Sequence, residues 1–438
     1  MRSGLHTLTP ARMSPPPVLT RVAWVMTAML AASVIFTAVF THLLHTPEPF
    51  GIPWFWHGQQ WPDFRVFQDQ SLHFRTPAYW DDYGYPFTYP APLAVTFGLF
   101  YRMPHPLKTY FIVLALGCTA WTIWLTRGLI ISGLAMRESL AFALIILLTS
   151  WPVWYLIDTT NIEGLMAILL ALGVLAVLRG NSWLGAVLIG IAASMKLFPI
   201  ILLVLLISKK RFREFGAGVI TAVGTTVLSL DLLGPSIGAA QAHLSDGMEF
   251  LRKNYMVLNR GAIELNFSHS LFNQLKFALL LGDRILNHGG AAASRTHEQA
   301  ILDAALPTYL VVGAILGIAI YLIQIRTMPL LNQTIALTVA AVLLPPFSSD
   351  YTLIHLLIPF ALLCFYTVDT AREGRNVAGL NICFACFCLV LAFESFFTIR
   401  YAFANSIRTL ALCVMLVAVL RNPFPWQRID GSLAGVSA

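Results

Sequence analysis

An aspartate among aromatic residues follows the first apolar run of the chain. Asp63 lies in the segment from Trp61 to Phe67, which reads Trp-Pro-Asp-Phe-Arg-Val-Phe. A carboxylate held in a partly apolar pocket can take a proton from a hydroxyl group, and aromatic faces pack against sugar rings. Asp63 is therefore a candidate general base, with Arg65 and Asp69 as candidate substrate-binding residues. The pattern also fits a solvated loop carboxylate or an ion-pair partner of Arg65.

A lysine stands inside a later apolar run. A charge in such a position is costly, which makes Lys196 a functional candidate by default. Its ammonium group could contact a lipid phosphate. It could equally be a lysine that snorkels from a broken helix, or a structural partner for Glu163 or Asp158.

Other polar candidates lie in a long loop and at a late helix end. The candidate phosphate ligands are Arg252, Lys253, Arg260 and Arg400. Arginine suits phosphate because its planar guanidinium presents a fork of donors, although such charges can also simply face anionic lipid headgroups. Asn266 and His269 are candidates to line a binding site.

The composition identifies the solvent of this chain as lipid. Of 438 residues, 57% are hydrophobic and only 11% are charged, and the mean hydropathy is +0.72. An average soluble domain carries about 25% charged residues. A chain this poor in charge could not cover itself with a wetted surface.

The apolar runs predict an all-α multi-pass membrane protein with a bundle of about twelve transmembrane helices. The predicted helices are 22–44, 89–103, 107–126, 138–157, 163–178, 183–207, 215–233, 303–325, 332–347, 351–368, 376–397 and 404–420. The first run is too long for a signal-peptide core, so we expect it to be retained as a helix.

The basic residues punctuate the ends of the apolar runs, which indicates topology and not a nucleic-acid-binding patch. The densest basic run, 209–213, should be cytoplasmic, and both termini are predicted on the same side. Two long loops, 45–88 and 234–302, then face the outside. We expect a cell (inner or plasma) membrane location.

The middle of the chain fits this topology less simply. If every apolar run spans the bilayer, Arg127, Arg137 and Arg179 lie outside and the turn 158–163 lies inside. Half-helices or a re-entrant segment would change this assignment, so the side of that turn stays open.

All six cysteines fall within apolar runs, so no disulfide framework is predicted. Cys383, Cys386 and Cys388 have metal-like spacing but no His or acidic partners nearby in the sequence. Free cysteine in such a helix behaves as a small hydrophobe. We expect neither a metal nor a cofactor.

Five short motifs follow one another along the chain. They are Asp63-x-x-Val-Phe with Tyr89-Pro-x-Pro, Asn161-Ile-Glu163-Gly, Gly190-x(5)-Lys196-x-x-Pro199, Asn266-x-Ser268, and Pro346-Phe-Ser-Ser-Asp350-Tyr351. Together with the hydropathy profile, this set resembles glycosyltransferase family 87 of the GT-C superfamily. In the family's late motif, Trp follows the Ser and His comes two residues later. Here Ser349 and Tyr351 occupy those positions, and Asp350 and His355 are the candidates for the histidine's role.

The resemblance implies a single membrane domain over 1–438 with inverting glycosyltransferase activity. A hexose such as mannose would pass from a polyprenyl-phosphate donor to a lipid or glycan acceptor at the outer face, with Asp63 as general base. The further substrate-binding residues implied are Tyr89, Asn161, Glu163, Lys196, His269, Asp350, Tyr351 and His355.

A secondary transporter or a lipid or glycan flippase is the alternative class. Such proteins carry internal repeats and ionisable residues at a midplane cavity. No repeat of the two long loops is visible in the two halves of this chain, and the ionisable candidates gather at the predicted outer face.

Overall fold

The computed structural model describes residues 13–39, 64, 75, 87–257, 268–286, 295–375, 377–393 and 404–426. Within these ranges the protein is helical, apart from one β-bridge between Met13 and Leu134. The α-helices are α1 (Pro17–Ala38), α2 (Ala91–Tyr101), α3 (Pro106–Ser132), α4 (Met136–Leu148), α5 (Trp151–Thr159), α6 (Glu163–Leu178), α7 (Ser182–Met195), α8 (Ile200–Ser208), α9 (Phe212–Leu233), α10 (Ile237–Leu251), α11 (Leu271–Leu286), α12 (Arg295–Ile323), α13 (Leu330–Leu343), α14 (Leu357–Arg372), α15 (Leu380–Leu391) and α16 (Ala404–Arg421). A 3-10 helix, Asp350–Leu356, precedes α14 and is called the 3-10 segment below.

Several helices are long and apolar enough to cross a membrane. By length and composition, five described runs qualify, or six if the bent pair α4 and α5 is one span. This supports a multi-pass membrane protein. The expected count of about twelve is not reached by this criterion, because several apolar helices are shorter than 18 residues.

The helices differ in how deeply they are buried. In the span Asp350–Arg372, which contains α14, 89% of the most apolar 18 residues are buried. In the span His297–Thr327, which covers most of α12, the corresponding share is 6%. Large apolar side chains such as Ile220, Ile315 and Ile323 are exposed. In water such surface would be unfavourable, so α14 is the centre of the bundle and α12 lies at its lipid-facing edge.

Proline separates α4 from α5 within the predicted helix 138–157. Pro152 lacks an N–H group, and its ring would clash with the carbonyl of Leu148, the residue at which α4 ends. The two helices meet at an angle of 50°. The predicted helix is therefore bent in the middle.

The predicted helix 183–207 is two helices and not one. α7 ends at Met195 because Pro199, four residues later, cannot donate to that carbonyl. The ammonium group of Lys196 contacts Glu163 at the start of α6. Nζ of Lys209, by contrast, donates to the carbonyl of Val177 at the end of α6 (2.7 Å).

These two contacts fix the direction of α7 and α8. A β-carbon on Gly185, near the start of α7, would lie 2.8 Å from the carbonyl oxygen of Gly173 and 3.0 Å from the nitrogen of Val177. α7 therefore begins beside the end of α6 and runs back toward Glu163, and α8 returns. The run forms a helical hairpin whose turn lies at the Glu163 end of the bundle. The opposite end is called the Lys209 end.

The predicted helix 89–103 also differs from expectation. The side-chain amide of Asn161 donates to the hydroxyl of Tyr89 (3.0 Å), just before α2. The hydroxyl of Tyr110, just after the start of α3, donates to the carbonyl of Asn161 (2.6 Å). The ring of Phe100, next to the last residue of α2, lies 6.4 Å from that of Tyr110. α2 therefore begins and ends near the same end of the bundle.

We predict that the glycine opening the Gly190-x(5)-Lys196 motif has a packing role. A β-carbon on Gly190 would lie 2.4 Å from the carbonyl oxygen of Gly218 in α9, so α7 and α9 would have to separate. Gly190→Ala should cost about 1–3 kcal/mol, measured as thermal stability in detergent. Gly224→Ala on α9 is the control, because nothing lies within 4 Å of that site. Equal stability of Gly190→Ala and wild type would contradict this account.

Candidate active site

Glu163 is the centre of a buried ionic cluster. It is the first residue of α6, and its backbone N–H donates to the side-chain oxygen of Asn161 (2.9 Å). That bond satisfies one of the unpaired donors in the first helical turn. α5 ends at Thr159, and the next residue, Thr160, adopts the left-handed conformation (φ 50°) directly before Asn161. The Asn-x-Glu motif therefore starts α6 and places the carboxylate in the interior, with no exposed side-chain surface.

Lys196 reaches this carboxylate from the turn between α7 and α8. Its Nζ pairs with Oε2 of Glu163 and lies 5.7 Å from the ring centroid of Tyr89 and 4.8 Å from that of Tyr351. Both distances are within cation–π range. The lysine side chain keeps 17% of its surface exposed while the glutamate keeps none, so Lys196 is the accessible member of the pair.

His355 occupies the other oxygen of Glu163. Its Nε2 lies 2.8 Å from Oε1, and the imidazole is buried. His355 belongs to the 3-10 segment. Pro359 has no N–H group to donate to the His355 carbonyl, which favours an α-helix that begins only after this residue. Both carboxylate oxygens are thus paired.

Aromatic side chains pack beside Asn161. The ring of Phe64 lies 4.7 Å from that of Tyr101 and 6.0 Å from that of Tyr110, and the Tyr101 hydroxyl donates to the Phe64 carbonyl. Phe64 is buried. The first long loop therefore contributes at least this residue to the neighbourhood of Asn161.

A second ionic cluster centres on Asp350, at the start of the 3-10 segment. Arg408 of α16 donates from Nη1 to Oδ2 of Asp350 (2.5 Å), and the indole N–H of Trp151 donates to the same oxygen (2.9 Å). The guanidinium also lies 5.9 Å from the Trp151 ring centroid. Arg408 is almost fully buried, so Asp350 and Arg408 form an ion pair inside the protein.

His269 lies beside this pair as a neutral group. Its Nδ1 is 3.6 Å from Oδ1 of Asp350, and its Nε2 is 3.0 Å from the hydroxyl of Ser348. Burial lowers the pKa of the imidazole below its usual value. Arg408, and not His269, is therefore the counter-ion of Asp350.

Arg252 lies in a different environment, in a short π-helical turn after α10. Its guanidinium is shared between the carboxylates of Glu249 and Asp303. Hydrogen bonds from Arg252, with a smaller contribution from Lys253, lower the pKa of Glu249 to about 2. Arg252 is thus engaged in exposed ion pairs, and the structure does not bring it into the Glu163 cluster.

The structure brings together most of the predicted site residues that it describes. Tyr89, Asn161, Glu163, Lys196, Tyr351 and His355 share contacts at one cluster, and His269 and Asp350 share the neighbouring one. The predicted residues outside the described ranges are Asp63, Arg65, Asp69, Arg260, Asn266 and Arg400.

Sequence reasoning missed three residues that contact these clusters. Tyr110 and Trp151 give no signal that separates them from other aromatic residues of apolar helices. Arg408 does give one, since it is a charge within a predicted transmembrane run. The argument that identified Lys196 applies to it equally.

An apolar cavity extends from the Glu163 cluster into the bundle. It has a volume of about 260 Å³ and lies mainly between α3 and α6. Its lining includes Gly164 and His355 at the Glu163 end and Arg179 just beyond the other end of α6. Apolar groups such as Trp121 and Ala171 make up most of the wall. The cavity suits an elongated apolar ligand.

Two further observations limit the chemistry of the described residues. None of their His, Cys, Asp and Glu side chains forms a group of three or more that could hold a metal ion. The cysteines of α15 that have metal-like spacing are buried and without disulfide partners.

Fold and site together define a multi-pass helical membrane protein with a charged, aromatic-lined site at one end of the bundle. A sequence model of glycosyltransferase family 87 matches residues 87–346, more than half of the chain. The chain belongs to glycosyltransferase family 87, and it is a membrane glycosyltransferase. Separate comparisons with curated proteins and with solved structures give no significant match. Asp63 and Asp350 lie outside the matched residues.

We predict that Lys196 stabilises the fold by neutralising Glu163. Lys196→Met would leave a buried carboxylate with only His355 beside it, and breaking such a pair costs about 3–5 kcal/mol. Lys253→Met is the matched control, because the lysine side chain is 63% exposed and its partner among the described residues is the half-exposed Glu249. Its effect should stay within about 1 kcal/mol. Thermal unfolding in detergent measures both, and an unchanged stability of Lys196→Met would refute the prediction.

Proposed function

We propose that this protein transfers a hexose, such as mannose, from a polyprenyl-phosphate donor to a lipid or glycan acceptor with inversion at the anomeric carbon. The proposal treats residues 1–438 as one catalytic unit and Asp63 as its general base. The observation that carries it is the accessible cation Lys196, paired with buried Glu163, whose second partner His355 and chain neighbour Gly164 line one end of an apolar cavity. Family membership favours glycosyl transfer over a transporter or flippase.

The donor phosphate would bind at the ammonium group of Lys196. This group is held by Glu163 and by the rings of Tyr89 and Tyr351, and it remains partly exposed. Its partners fix its position before substrate arrives. Preorganised positive charge of this kind stabilises negative charge that develops on a leaving group. Lys196 would then have both roles at once, as the structural partner of Glu163 and as the ligand of the donor phosphate.

The prenyl tail would occupy the cavity between α3 and α6. The lining follows α6 from Gly164 to Arg179, a rise of about 22 Å along the axis. The walls are apolar over this length, so they would bind hydrocarbon by the same burial that stabilises the core. A donor with an anionic head and a long apolar tail would match a cation that is followed by an apolar cavity.

The reaction would be a single displacement. Asp63 takes the proton of an acceptor hydroxyl, the oxygen forms a bond to the anomeric carbon, and the carbon–oxygen bond to the phosphate breaks on the opposite face. The electron pair leaves with the phosphate beside Lys196. Phe64, the chain neighbour of Asp63, packs near Tyr110, whose hydroxyl donates to Asn161. This supports a role for the first long loop in the site.

We further propose that the Glu163 end of the bundle faces outward. The basic run 209–213 lies at the other end, because Lys209 donates to Val177 at the end of α6. If 89–103 does not cross the membrane and 183–207 crosses it twice, the chain still has about twelve crossings. Arg127, Arg137 and Arg179 then lie on the cytoplasmic side with the basic run, as the positive-inside rule requires.

Cysteine labelling tests this topology. In a variant without the native cysteines, Arg179→Cys and Arg213→Cys should both resist a membrane-impermeant maleimide in right-side-out vesicles until the vesicles are permeabilised. Asp246→Cys, in α10, should react from outside at once. Labelling of only one of the two arginine positions from outside would mean that 183–207 crosses the membrane once.

Replacement of the predicted base tests the reaction. Purified protein is incubated with radiolabelled polyprenyl-phosphate sugars and membrane lipids, and the anomeric configuration of the product is determined. Asp63→Asn should lower transfer by about 10²-fold or more, since general-base catalysis contributes on that scale. Asp81→Asn makes the same change in the same loop and should leave transfer unaffected. Near-normal transfer by Asp63→Asn would exclude this base, and no transfer by wild type from any of these donors would exclude the donor class.

A further inference from the structure

The ion pair between Arg408 and Asp350 is buried in the cluster next to the proposed phosphate site. Arg408 and Asp350 are 1% and 8% exposed, and the pair is completed by the indole N–H of Trp151. Arg408 also donates to the side-chain oxygen of Asn405, one helical turn earlier on α16 (3.2 Å). A buried pair of this type contributes little net stability compared with apolar residues, so its presence calls for another explanation.

The 3-10 segment connects this pair to the Glu163 cluster. It begins with Asp350 and contains His355, which bonds Glu163 (2.8 Å). Tyr351, next to Asp350, places its ring 4.8 Å from Nζ of Lys196 and stacks on Tyr155 at 6.0 Å. A shift of the first residue of so short a segment would therefore move the groups that hold Lys196.

Hydrogen bonds to residues 268–270 also hold the stretch just before the segment. Ser348 accepts from the backbone of His269 (3.1 Å), and its own N–H donates to Oγ of Ser268 (3.0 Å). The carbonyl of Pro346 accepts from the hydroxyl of Ser270 (2.9 Å). The side-chain contacts of Asp350 with Arg408, Trp151 and His269 are the ones that act on the first residue of the segment itself.

We propose that Arg408 is a positioning residue, which acts through Asp350 to hold the 3-10 segment so that His355 and Tyr351 keep Lys196 in its binding position. This inference rests on the proposed function for its effect on catalysis.

A double-mutant cycle separates positioning from simple stability. Arg408→Gln and Asp350→Asn each leave one buried charge without its partner and should lower thermal stability. The double variant leaves no such charge and should recover stability relative to both single variants. Its transfer should still be about 10-fold to 10²-fold below wild type, seen mainly in kcat, because small misplacements cost this much. Asp369→Asn, which alters the hydrogen bond to Trp426 at the other end of α14, is the control and should keep wild-type transfer.

A second measurement reports on position without using activity. In a variant without the native cysteines, the introduced residues Tyr155→Cys and Tyr351→Cys are crosslinked in membranes. The rate is compared between proteins with and without the two substitutions Arg408→Gln and Asp350→Asn. The neutral pair should slow crosslinking. Unchanged crosslinking, or wild-type transfer by the double variant, would overturn the inference. If the two substitutions slow crosslinking but the wild-type protein transfers no sugar, the positioning role of Arg408 stands and the proposed function is rejected.

Discussion

The buried carboxylate of Glu163 is the interaction on which the rest of the site depends. An ionised group away from water costs several kcal/mol unless it is paired and hydrogen-bonded. Here both oxygens are used, one by Lys196 and one by His355. Those partners come from segments 33 and 192 residues away in sequence. Neutralising one charge thus requires three distant parts of the chain to meet.

This requirement explains why helix breaks gather at the same end of the bundle. If 183–207 were one continuous helix, the chain would not turn at Lys196 beside Glu163. If the α-helix continued through His355, the carbonyl of His355 would accept the regular hydrogen bond from residue 359. Pro199 and Pro359 prevent both by removing the N–H donor four residues later. Within a membrane, irregular backbone is tolerated where it is buried in protein or lines a cavity. The Glu163 end meets that condition, since the cavity begins there.

The predictability of each feature follows from its physical origin. The helical membrane class follows from composition, and the choice of Lys196 as a candidate follows from the cost of an isolated charge; both are local properties of the sequence. The hairpin at 183–207 was missed because a mostly apolar run of 25 residues is long enough to span a bilayer. Hydropathy does not distinguish one span from two short helices. Pro199 was the available signal. Arg408 carried the same signal as Lys196, but its partner Asp350 can be found only from the fold.

Helix α6 combines the two properties that a lipid-linked sugar donor would require. Glu163 is its one ionisable residue, and the fifteen residues that follow it are all apolar or glycine. The first turn therefore holds Lys196 in place, while the remainder forms a wall of the cavity. A rigid helix fixes the distance between a site for a charged head and a channel for a tail. Recognition of the two parts of the donor would then be coupled by one secondary-structure element, without any flexible linker between them.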